Sequence, residues 1–247
     1  MAEFTTLQSV SRPRSFIIEG NIGAGKSTFV RLMQKHLDVH TVFEPHDKWQ
    51  NVGGSGENLL ERFYTDSQRW AYTFQSYAFI TRVVLQEEQA RLYPDAIHIL
   101  ERSVFSDRYC FAKNSFEMGL MNALEWKLYQ EWFTWLVDNY VPRPDGFIYL
   151  QTDPEICYQR LLKRGRQEEA AVAKEYLQAL HKKHEDWLIA KEGIAPMLQD
   201  VPVLVLSCNN DFEHSEQELS KHVTAVQNFI DMHKKPLEYR QETAMPL

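Results

Sequence analysis

The sequence predicts an α/β fold in which a parallel sheet of five strands carries helices on both faces. Short apolar runs alternate with long helical patterns along the chain, and this alternation is typical of parallel sheets. A glycine-rich loop joins the first apolar run to the first helical pattern and marks the end of the first strand. With 247 residues, 44% of them hydrophobic and 25% charged, the chain is long enough to bury one core of this kind.

The individual elements follow from these runs. Strands are predicted at 15–19, 40–44, Ile97–Glu101, 147–151 and 203–206. Helices are predicted at 26–37, at 57–91 with a break near Asp66, and at 103–117, 122–140, 154–164, 174–191 and 214–233. The glycine-rich stretch 51–56 is interpreted as a loop within one domain over 1–247, whose ends at 1–14 and 234–247 are expected to be flexible tails. Ligands of such sheets bind beyond the carboxyl ends of the strands, so candidate residues are sought there.

The first loop has the Gly-x-x-x-x-Gly-Lys-Ser spacing of a phosphate-binding P-loop. Glycines let successive backbone N–H groups curl around a polyphosphate, and the following helix adds its positive dipole end. Lys26 would reach the terminal phosphates, and the Ser27 hydroxyl would bind Mg²⁺. The loop therefore predicts a nucleoside triphosphate site formed by Gly20, Asn21, Ile22, Gly23, Ala24, Gly25, Lys26, Ser27 and Thr28.

Two charged sites follow the next strands. Glu44 closes the second strand, where its carboxylate would face the terminal phosphate and take the proton of an acceptor hydroxyl. Glu101 and Arg102 close the third strand; Glu101 is a candidate Mg²⁺ ligand, and Arg102 would pair with Glu44 and touch the acceptor hydroxyl. The alternatives are a plain strand terminus for Glu44 and an ordinary ion pair at the sheet edge.

Two later segments point to ligand contacts. Arg160, Arg164 and Arg166 form a basic run in an acidic chain, which predicts a lid over the triphosphate; a solvated helix end is the alternative. Gln75 has both a donor and an acceptor for the edge of a nucleobase, with Phe74 and Phe111 as stacking surfaces, although such aromatics also fit a plain core. The histidines at 181–184 are interpreted as part of a solvated helix face.

Composition excludes several kinds of partner. The net charge of −7 opposes a nucleic-acid polymer, and no apolar run has the length of a membrane span. Three widely separated cysteines predict reduced thiols in a cytoplasmic protein. The Ser, Thr and Arg content of 1–14 is also found in organelle transit peptides, so a mitochondrial location is the alternative, but the segment is short.

Together these segments resemble the deoxyribonucleoside kinase family, most closely its deoxycytidine/deoxyguanosine kinase branch. The matching segments occur in the family's order between about residues 15 and 212 and cover most of the chain. They are Ile18-Glu19-Gly20-Asn21-Ile22, Glu44-Pro45 with Trp49, Phe74-Gln75-Ser76-Tyr77, Glu101-Arg102-Ser103 through Asp107-Arg108-Tyr109, the arginine lid, and His184-Glu185-Asp186-Trp187. The resemblance implies a P-loop kinase fold and transfer of the ATP γ-phosphoryl group to the 5′-hydroxyl of a deoxyribonucleoside, with Mg²⁺.

The resemblance also implies roles for single residues. Glu44 would be the base, Arg102 would bind the 5′-oxygen and Lys26 the phosphates. The remaining implied contacts are Tyr64 and Glu169 to the sugar 3′-hydroxyl, Gln75 to the base, Phe74, Phe111, Ile22, Leu60 and Trp49 as its apolar pocket, and Asp211 and Phe212 near the adenine of ATP. Phe63 and the proline-free segment 170–173 depart from the family pattern, which leaves the pocket shape and the lid hinge open.

Members of this family are generally homodimers through helices like the one at 122–140. An apolar stripe there comprises Trp126, Tyr129, Phe133, Leu136, Val137 and Tyr140, and is widened by Trp132 and Trp135. Core packing alone would explain the stripe without the two tryptophans. The added breadth from Trp132 and Trp135 predicts an interface between two copies of the chain.

Arg82 and Asp107 are expected to select the base as an ion pair at the far end of the pocket. A carboxylate held ionised by an arginine only accepts hydrogen bonds, so it suits the amino group of cytosine or adenine and opposes the carbonyl of thymine. We therefore expect deoxycytidine and purine deoxyribonucleosides to be better substrates than thymidine. A surface pair indifferent to the substrate is the alternative.

Two other functions remain open at this point. A nucleoside monophosphate kinase of the thymidylate-kinase type shares the P-loop and Glu-Pro, but Phe43 stands before Glu44 where an arginine would bind the acceptor phosphate. A regulatory nucleotide-binding module of the GTPase type would need an Asn-Lys-x-Asp motif, which the sequence lacks.

Overall fold

The computed structural model describes residues 12–169 and 172–233, and within them five parallel strands form one sheet. The strands are β1 (Arg14–Glu19), β2 (His40–Val42), β3 (Ile97–Glu101), β4 (Gly146–Gln151) and β5 (Val203–Ser207). Their spatial order is β2-β3-β1-β4-β5, which places β1 and its loop at the centre. The predicted α/β fold with a parallel sheet is confirmed. Of the tails expected at 1–14 and 234–247, only 12–14 belong to the described residues, and β1 already includes Arg14.

The register of the strands places the candidate carboxylates at one edge. Ile18 of β1 pairs with Glu101 of β3, so both strands end together. Strand β2 ends at Val42 rather than at Glu44 as predicted, and its last pair joins Val42 to Leu100. The backbone N–H of Glu44 turns toward the Glu101 carboxylate (3.5 Å) instead of a neighbouring strand, which ends the ladder early.

Ten α-helices occur in the described ranges, and most follow the predicted pattern. They are α1 (Lys26–His36), α2 (His46–Gln50), α3 (Leu59–Thr65), α4 (Ser67–Leu92), α5 (Val104–Ser106), α6 (Lys113–Glu117), α7 (Ala123–Tyr140), α8 (Pro154–Arg164), α9 (Lys174–His184) and α10 (Glu216–Met232). The predicted break near Asp66 is confirmed, because the Asp66 side chain accepts the backbone N–H of Arg69 and caps α4.

The predicted helices at 103–117 and 174–191 each contain a π-helical segment. One such segment, Asp107–Ala112, joins α5 to α6, and the other, Glu185–Ile189, extends α9. Sequence periodicity missed α2 and the 3₁₀ turns Val52–Gly54, Gln167–Glu169 and Pro196–Leu198, since these pieces are too short to show a repeat.

Helices cover the sheet and leave one apolar surface partly open. Phe147 of β4 lies 5.0 Å from the ring of the buried Trp187, which closes the core on that side. On α7, Phe133 packs against Phe79 of α4, whereas Trp132 keeps about half of its surface exposed. No helix among the described residues has the length and apolarity needed to cross a membrane.

Candidate active site

The loop between β1 and α1 is tightly packed through its glycines. Gly25 precedes α1 with a φ of +91°, in the left-handed region that favours glycine. A Cβ atom at Gly23 would lie 2.3 Å from the carbonyl oxygen of Cys157, so no larger residue fits. The loop therefore brings its backbone to the start of α1, where free N–H groups and the helix dipole favour an anion.

Lys26 is a buried cation at the same helix start. Its Nζ donates a hydrogen bond to the carbonyl oxygen of Asn21 (2.8 Å), and it forms no ion pair with a carboxylate among the described residues. Burial, with the positive charge of Arg102 as the next cause, lowers the pKa of Lys26 to about 7. A polyphosphate beside this lysine would favour its charged form, so the position suits an anionic ligand.

Ser27 and Glu101 provide oxygen atoms for a divalent cation. The Ser27 hydroxyl donates to Oε1 of Glu101 (2.6 Å), at the point where α1 begins and β3 ends. Oxygen ligands are those that Mg²⁺ prefers, and Mg²⁺ usually takes its remaining ligands from water and phosphate. In the described part of the chain no group of three or more His, Cys, Asp or Glu side chains could hold a metal. The Ser27 hydroxyl and the Glu101 carboxylate supply two oxygen ligands, which fit a cation that takes its other ligands from phosphate and water.

Glu44 is held from three sides. Its Oε1 accepts from Nη2 of Arg82 (2.6 Å) and lies 3.6 Å from Nε of Arg102, while its Oε2 lies 3.1 Å from Nε2 of His46. Burial alone would raise the pKa of Glu44, but Arg82, His46 and Arg102 outweigh it and hold this pKa well below its usual range. The side chain is therefore an ionised carboxylate in the cavity. The predicted contact with Arg102 is present, but the Arg82 contact is shorter.

Arg82 and Asp107 form the predicted ion pair inside the protein. Nε and Nη2 of Arg82 donate to the two carboxylate oxygens of Asp107 (2.8 and 3.1 Å), and both side chains are buried. Nη2 also reaches Glu44, so one guanidinium bridges the two carboxylates. Arg82 was expected to hold Asp107 ionised. Burial nevertheless raises the pKa of Asp107, although the charge of Arg82 opposes the rise. Carboxylates surround Arg82 and raise its pKa despite burial.

Arg102 adopts a left-handed backbone conformation (φ +63°) directly after β3. This turn aims the guanidinium over the ring of Phe111, 4.7 Å from its centroid, and leaves the buried Nη1 without a described protein partner. The next residue, Ser103, donates its hydroxyl to Glu19 and accepts two backbone N–H groups that cap α5. Burial, despite Arg102 and that hydrogen bond, raises the pKa of Glu19 to about 7.

Aromatic side chains surround a glutamine at the other end of the cavity. Gln75 is buried, and its Nε2 has no hydrogen-bond partner among the described residues. Phe74 stacks on Phe63 with ring centroids 4.8 Å apart. Phe63, which departs from the family pattern, is therefore part of the pocket wall. Trp49 is fixed by a hydrogen bond from its Nε1 to Oγ1 of Thr81 (2.9 Å).

One cavity of about 200 Å³ joins most of the candidate residues. The predicted residues that line it are Ile22, Gly23, Gly25, Lys26, Ser27, Thr28, Glu44, Trp49, Leu60, Tyr64, Phe74, Gln75, Arg82, Glu101, Arg102, Asp107, Phe111, Arg164, Arg166 and Glu169. Tyr64 lies near Glu169, and burial raises its pKa, so it is a neutral hydroxyl in this cavity. The cavity runs from the P-loop to Gln75 and is lined by both charged and aromatic groups.

The lid arginines contact the residue expected to hold the sugar. Arg164 and Arg166 both reach the buried carboxylate of Glu169. Glu169 ends the 3₁₀ turn Gln167–Glu169, and Gln50 of α2 donates to Glu168 in the same turn (2.6 Å). Residues 170 and 171 of the expected hinge lie outside the described residues. The lid and the acceptor side of the cavity are thus connected through side-chain contacts.

Six predicted nucleotide-binding residues do not line this cavity. Gly20 and Ala24 support the P-loop, and the Asn21 amide turns away to the carbonyl of Leu177 (2.8 Å). Arg160 donates to the carbonyl oxygens of Asn209 and Asn210. The remaining two residues follow β5. Asp211 accepts hydrogen bonds from the backbone N–H groups of 213 and 214. Phe212 packs beneath Gly25 and against Phe29.

Sequence reasoning missed four residues that line the cavity, namely Arg31, His46, Ala78 and Tyr176. Arg31 lies four residues after Ser27, and this helical spacing could have revealed it. His46 belongs to α2, which was not predicted, and Tyr176 reaches the cavity only through the packing of α9. The interpretation of 181–184 as a solvated face is wrong for His184, which is fully buried with Nδ1 2.7 Å from the carbonyl of Leu180.

Comparison with known proteins gives one consistent result. A family model described as "Deoxynucleoside kinase" matches residues 16–231. "Deoxycytidine kinase 2" of Gallus gallus is 42% identical over 241 residues, which cover 89% of this chain and 91% of the relative. "Deoxyguanosine kinase, mitochondrial" of Xenopus laevis is 39% identical over 84% of this chain and 87% of its own. "Deoxycytidine kinase" of Homo sapiens is 37% identical, covering 92% of this chain and 95% of its own.

Proposed function

This chain belongs to the deoxynucleoside kinase family, and from that premise we propose how its residues phosphorylate a deoxyribonucleoside. The predicted deoxyribonucleoside kinase activity is confirmed by the family. The proposed reaction moves the γ-phosphoryl group of ATP to the 5′-hydroxyl. The observation that carries it is the ionised Glu44 carboxylate, held by Arg82 and Arg102 in the same cavity as Lys26 of the P-loop.

On the acceptor side, Glu44 takes the proton of the 5′-hydroxyl, and Arg102 binds the 5′-oxygen. A positioned carboxylate within reach of a hydroxyl is the usual general base for such a transfer. Tyr64 and Glu169, which line the cavity near each other, bind the 3′-hydroxyl of the sugar. This arrangement would orient a deoxyribose with its 5′ end toward the P-loop.

At the far end of the cavity, Gln75 and Asp107 read the base. The unpartnered Nε2 of Gln75 gains a partner when a base edge binds, and Trp49, Leu60, Phe74, Phe111 and Ile22 pack around the ring. The Asp107 carboxylate, which already accepts from Arg82, can accept further from an exocyclic amino group. We propose on this basis that deoxycytidine and purine deoxyribonucleosides are preferred over thymidine.

On the donor side, Lys26 and the backbone of the P-loop bind the phosphates of ATP. Arg164 and Arg166 add positive charge from the lid, and Arg160 belongs to the same basic run. Asp211 and Phe212 would contact the adenine. Ser27 and Glu101 would hold Mg²⁺, which would neutralise the charge that develops on the transferred group.

A substrate screen tests this proposal. The purified protein is incubated with ATP and Mg²⁺, and with each deoxyribonucleoside or its 5′-monophosphate, and the nucleotide products are quantified. We expect products from the nucleosides and none from the monophosphates, since Phe43 stands before Glu44 where the thymidylate-kinase type would carry an arginine for the acceptor phosphate. Turnover of monophosphates alone would restore the thymidylate-kinase alternative. ATP binding with no transfer to any acceptor would restore the regulatory module.

We further propose that the protein is a homodimer through α4 and α7. These neighbouring helices carry apolar side chains that remain substantially exposed in the single chain, namely Ile80, Val84, Leu124, Leu128, Trp132, Trp135 and Tyr140. Of the predicted stripe, Tyr129, Phe133 and Val137 are buried within the chain, so the exposed residues form a second apolar surface. Sedimentation should give a dimer for the wild type, and Trp132→Glu with Trp135→Glu should give a monomer. A wild-type monomer at micromolar concentration would contradict this proposal.

A cytoplasmic location remains a proposal as well. It is supported by the three cysteines, all of which are buried and unpaired, as expected in a reducing compartment. One relative is named mitochondrial, and segment 1–11 lies outside the described residues. Subcellular fractionation of cells expressing the native chain distinguishes the two compartments.

A further inference from the structure

His46 contacts the proposed base, Glu44. It is the first residue of α2, and its backbone N–H donates to the carbonyl oxygen of Glu44 (2.9 Å). Its Nε2 lies 3.1 Å from Oε2 of Glu44, and its ring meets that of Trp49 edge to face at 5.1 Å. The imidazole also lines the cavity, so it stands between the base and the apolar wall.

The two oxygens of Glu44 have different surroundings. Oε1 faces both arginines, with Nη2 of Arg82 at 2.6 Å and Nε of Arg102 at 3.6 Å. Oε2 lies 3.1 Å from Nε2 of His46, and no other described residue donates a hydrogen bond to it. A carboxylate oxygen can accept two hydrogen bonds, so Oε2 keeps one acceptor direction open beside His46, whereas Oε1 accepts from Arg82 and lies at ion-pair distance from Arg102.

We propose that His46 is a positioning residue that donates its Nε2–H to Oε2 of Glu44 and so fixes the rotation of the base. This inference rests on the proposed role of Glu44. Without the imidazole, the carboxylate can rotate about its last bond and turn both oxygens to the guanidinium of Arg82. With it, the open acceptor direction of Oε2 stays toward the cavity, where the 5′-hydroxyl binds.

The proton and electron pairs balance without any change at the imidazole. As O5′ forms its bond to the γ-phosphorus, the bond from that phosphorus to the leaving oxygen breaks, and the hydroxyl proton passes to Oε2. That proton leaves Glu44 for solvent once the products depart. His46 donates the same hydrogen bond throughout, and it acts on the rate only through the orientation of Glu44.

Three variants test the geometry of this hydrogen bond. His46→Leu removes the donor and keeps the bulk. His46→Gln places an amide nitrogen near the Nε2 position, and His46→Asn carries the same amide on a shorter chain. We expect His46→Leu and His46→Asn to lower single-turnover phosphoryl transfer and kcat roughly tenfold, as for loss of one hydrogen bond to a charged group. The nucleoside KM should stay within about twofold, and His46→Gln should return to within about threefold of the wild-type rate.

A double-mutant cycle separates positioning from general stabilisation. In a Glu44→Gln background the carboxylate is gone, so His46→Leu should cause little further loss of the residual rate. His181→Leu serves as the matched control. It removes another histidine that lies 3.8 Å from a carboxylate, that of Glu185, and neither of these two residues lines the cavity. Thermal unfolding of every variant reports any loss of folded protein.

Four results would overturn the inference. They are a wild-type kcat for His46→Leu, a His46→Gln variant as slow as His46→Leu, an effect on KM alone, or full additivity with Glu44→Gln. A failure of the proposed function looks different, because it would appear as normal turnover by Glu44→Gln or as no turnover of nucleosides by the wild type.

Discussion

At the acceptor end of the cavity, the buried guanidinium of Arg82 is matched by the carboxylates of Glu44 and Asp107. At the donor end, the buried ammonium of Lys26 donates only to a backbone carbonyl within the described residues. Both ends lie at the carboxyl edge of the same sheet, and both are formed by charged residues removed from water. They differ in whether the protein itself supplies the opposite charge.

This difference separates the tasks of the two ends. A paired network keeps its geometry before a neutral nucleoside arrives, so the acceptor end is preorganised to orient a hydroxyl. A buried cation without a carboxylate partner is stabilised by a polyanion, so the donor end gains most when phosphates bind. The lid belongs to both ends of the cavity. Its arginines, Arg164 and Arg166, are proposed to bind the phosphates, and both are paired with Glu169 of the acceptor end.

The largest expected effect tests the acceptor network at its base. Glu44→Gln keeps the shape of the side chain but removes the proton acceptor, so kcat should fall by roughly 10²-fold or more. ATP binding should be retained, because the donor end does not depend on this carboxylate for its contacts. Steady-state turnover and nucleotide binding by calorimetry measure the two effects. Near-normal turnover would remove Glu44 from the role of base.

The same contrast shows how far the sequence alone could lead. The P-loop, Glu44 and the pair Glu101-Arg102 could be found because each ends a predicted strand, and parallel strands end at one edge. The pair of Arg82 with Asp107 was also correctly predicted. Its bridge to Glu44 was not predicted, because that contact depends on where the folded chain places Arg82 of α4 relative to the residues after β2. The sequence has no periodic signal for that placement.

Short segments account for most of what was missed. Helix α2 has five residues and carries His46, but it is shorter than the two turns that reveal a helical repeat. The close contacts of Gly23 with the backbone at Cys157 likewise join distant segments. Packing of this kind is decided by the assembled core rather than by local sequence, so it appears only in the folded chain.

The second effect concerns the lid, where the two ends meet. Arg164→Ala and Arg166→Ala should each lower kcat by roughly tenfold or more, because guanidinium contacts to the transferred group tighten in the transition state. Nucleoside affinity should change less. Rapid-quench kinetics and nucleoside titrations provide the two numbers.

Arg160→Ala is the comparison for the lid variants. Arg160 is engaged with the carbonyls of 209 and 210 and does not line the cavity, so its loss should cost less turnover. If the variants at 164 and 166 change nucleoside affinity alone, their main partner is Glu169 and they belong to the acceptor end.

The third effect tests base selection within the paired network. The wild type should favour deoxycytidine over thymidine in kcat/KM by roughly tenfold or more, since a buried carboxylate facing a carbonyl costs about 1–3 kcal/mol. Asp107→Asn introduces an amide donor and should narrow that ratio. Arg82→Met should instead lower turnover of every nucleoside, because Arg82 also holds Glu44. Thymidine as the best wild-type substrate, or an unchanged ranking in Asp107→Asn, would contradict this role.

The smallest effect concerns Glu19, a buried carboxyl behind the acceptor end that no arginine contacts directly among the described ion pairs. Burial raises its pKa from 4.5 to about 7, so between these values the folded state binds more protons than the unfolded state. The free energy of unfolding therefore falls as the pH rises, by about 1 kcal/mol between pH 6 and pH 7, because Glu19 must ionise in the fold.

Glu19→Gln should remove this loss of stability. The amide nitrogen of the glutamine would replace Oε2, which has no hydrogen-bond partner among the described residues. The difference in unfolding free energy between wild type and variant, measured by urea titration across this range, cancels the other titrating groups, including Asp107. Parallel curves for the two proteins would mean that Glu19 is already ionised in the fold, and that the acceptor end balances this charge as well.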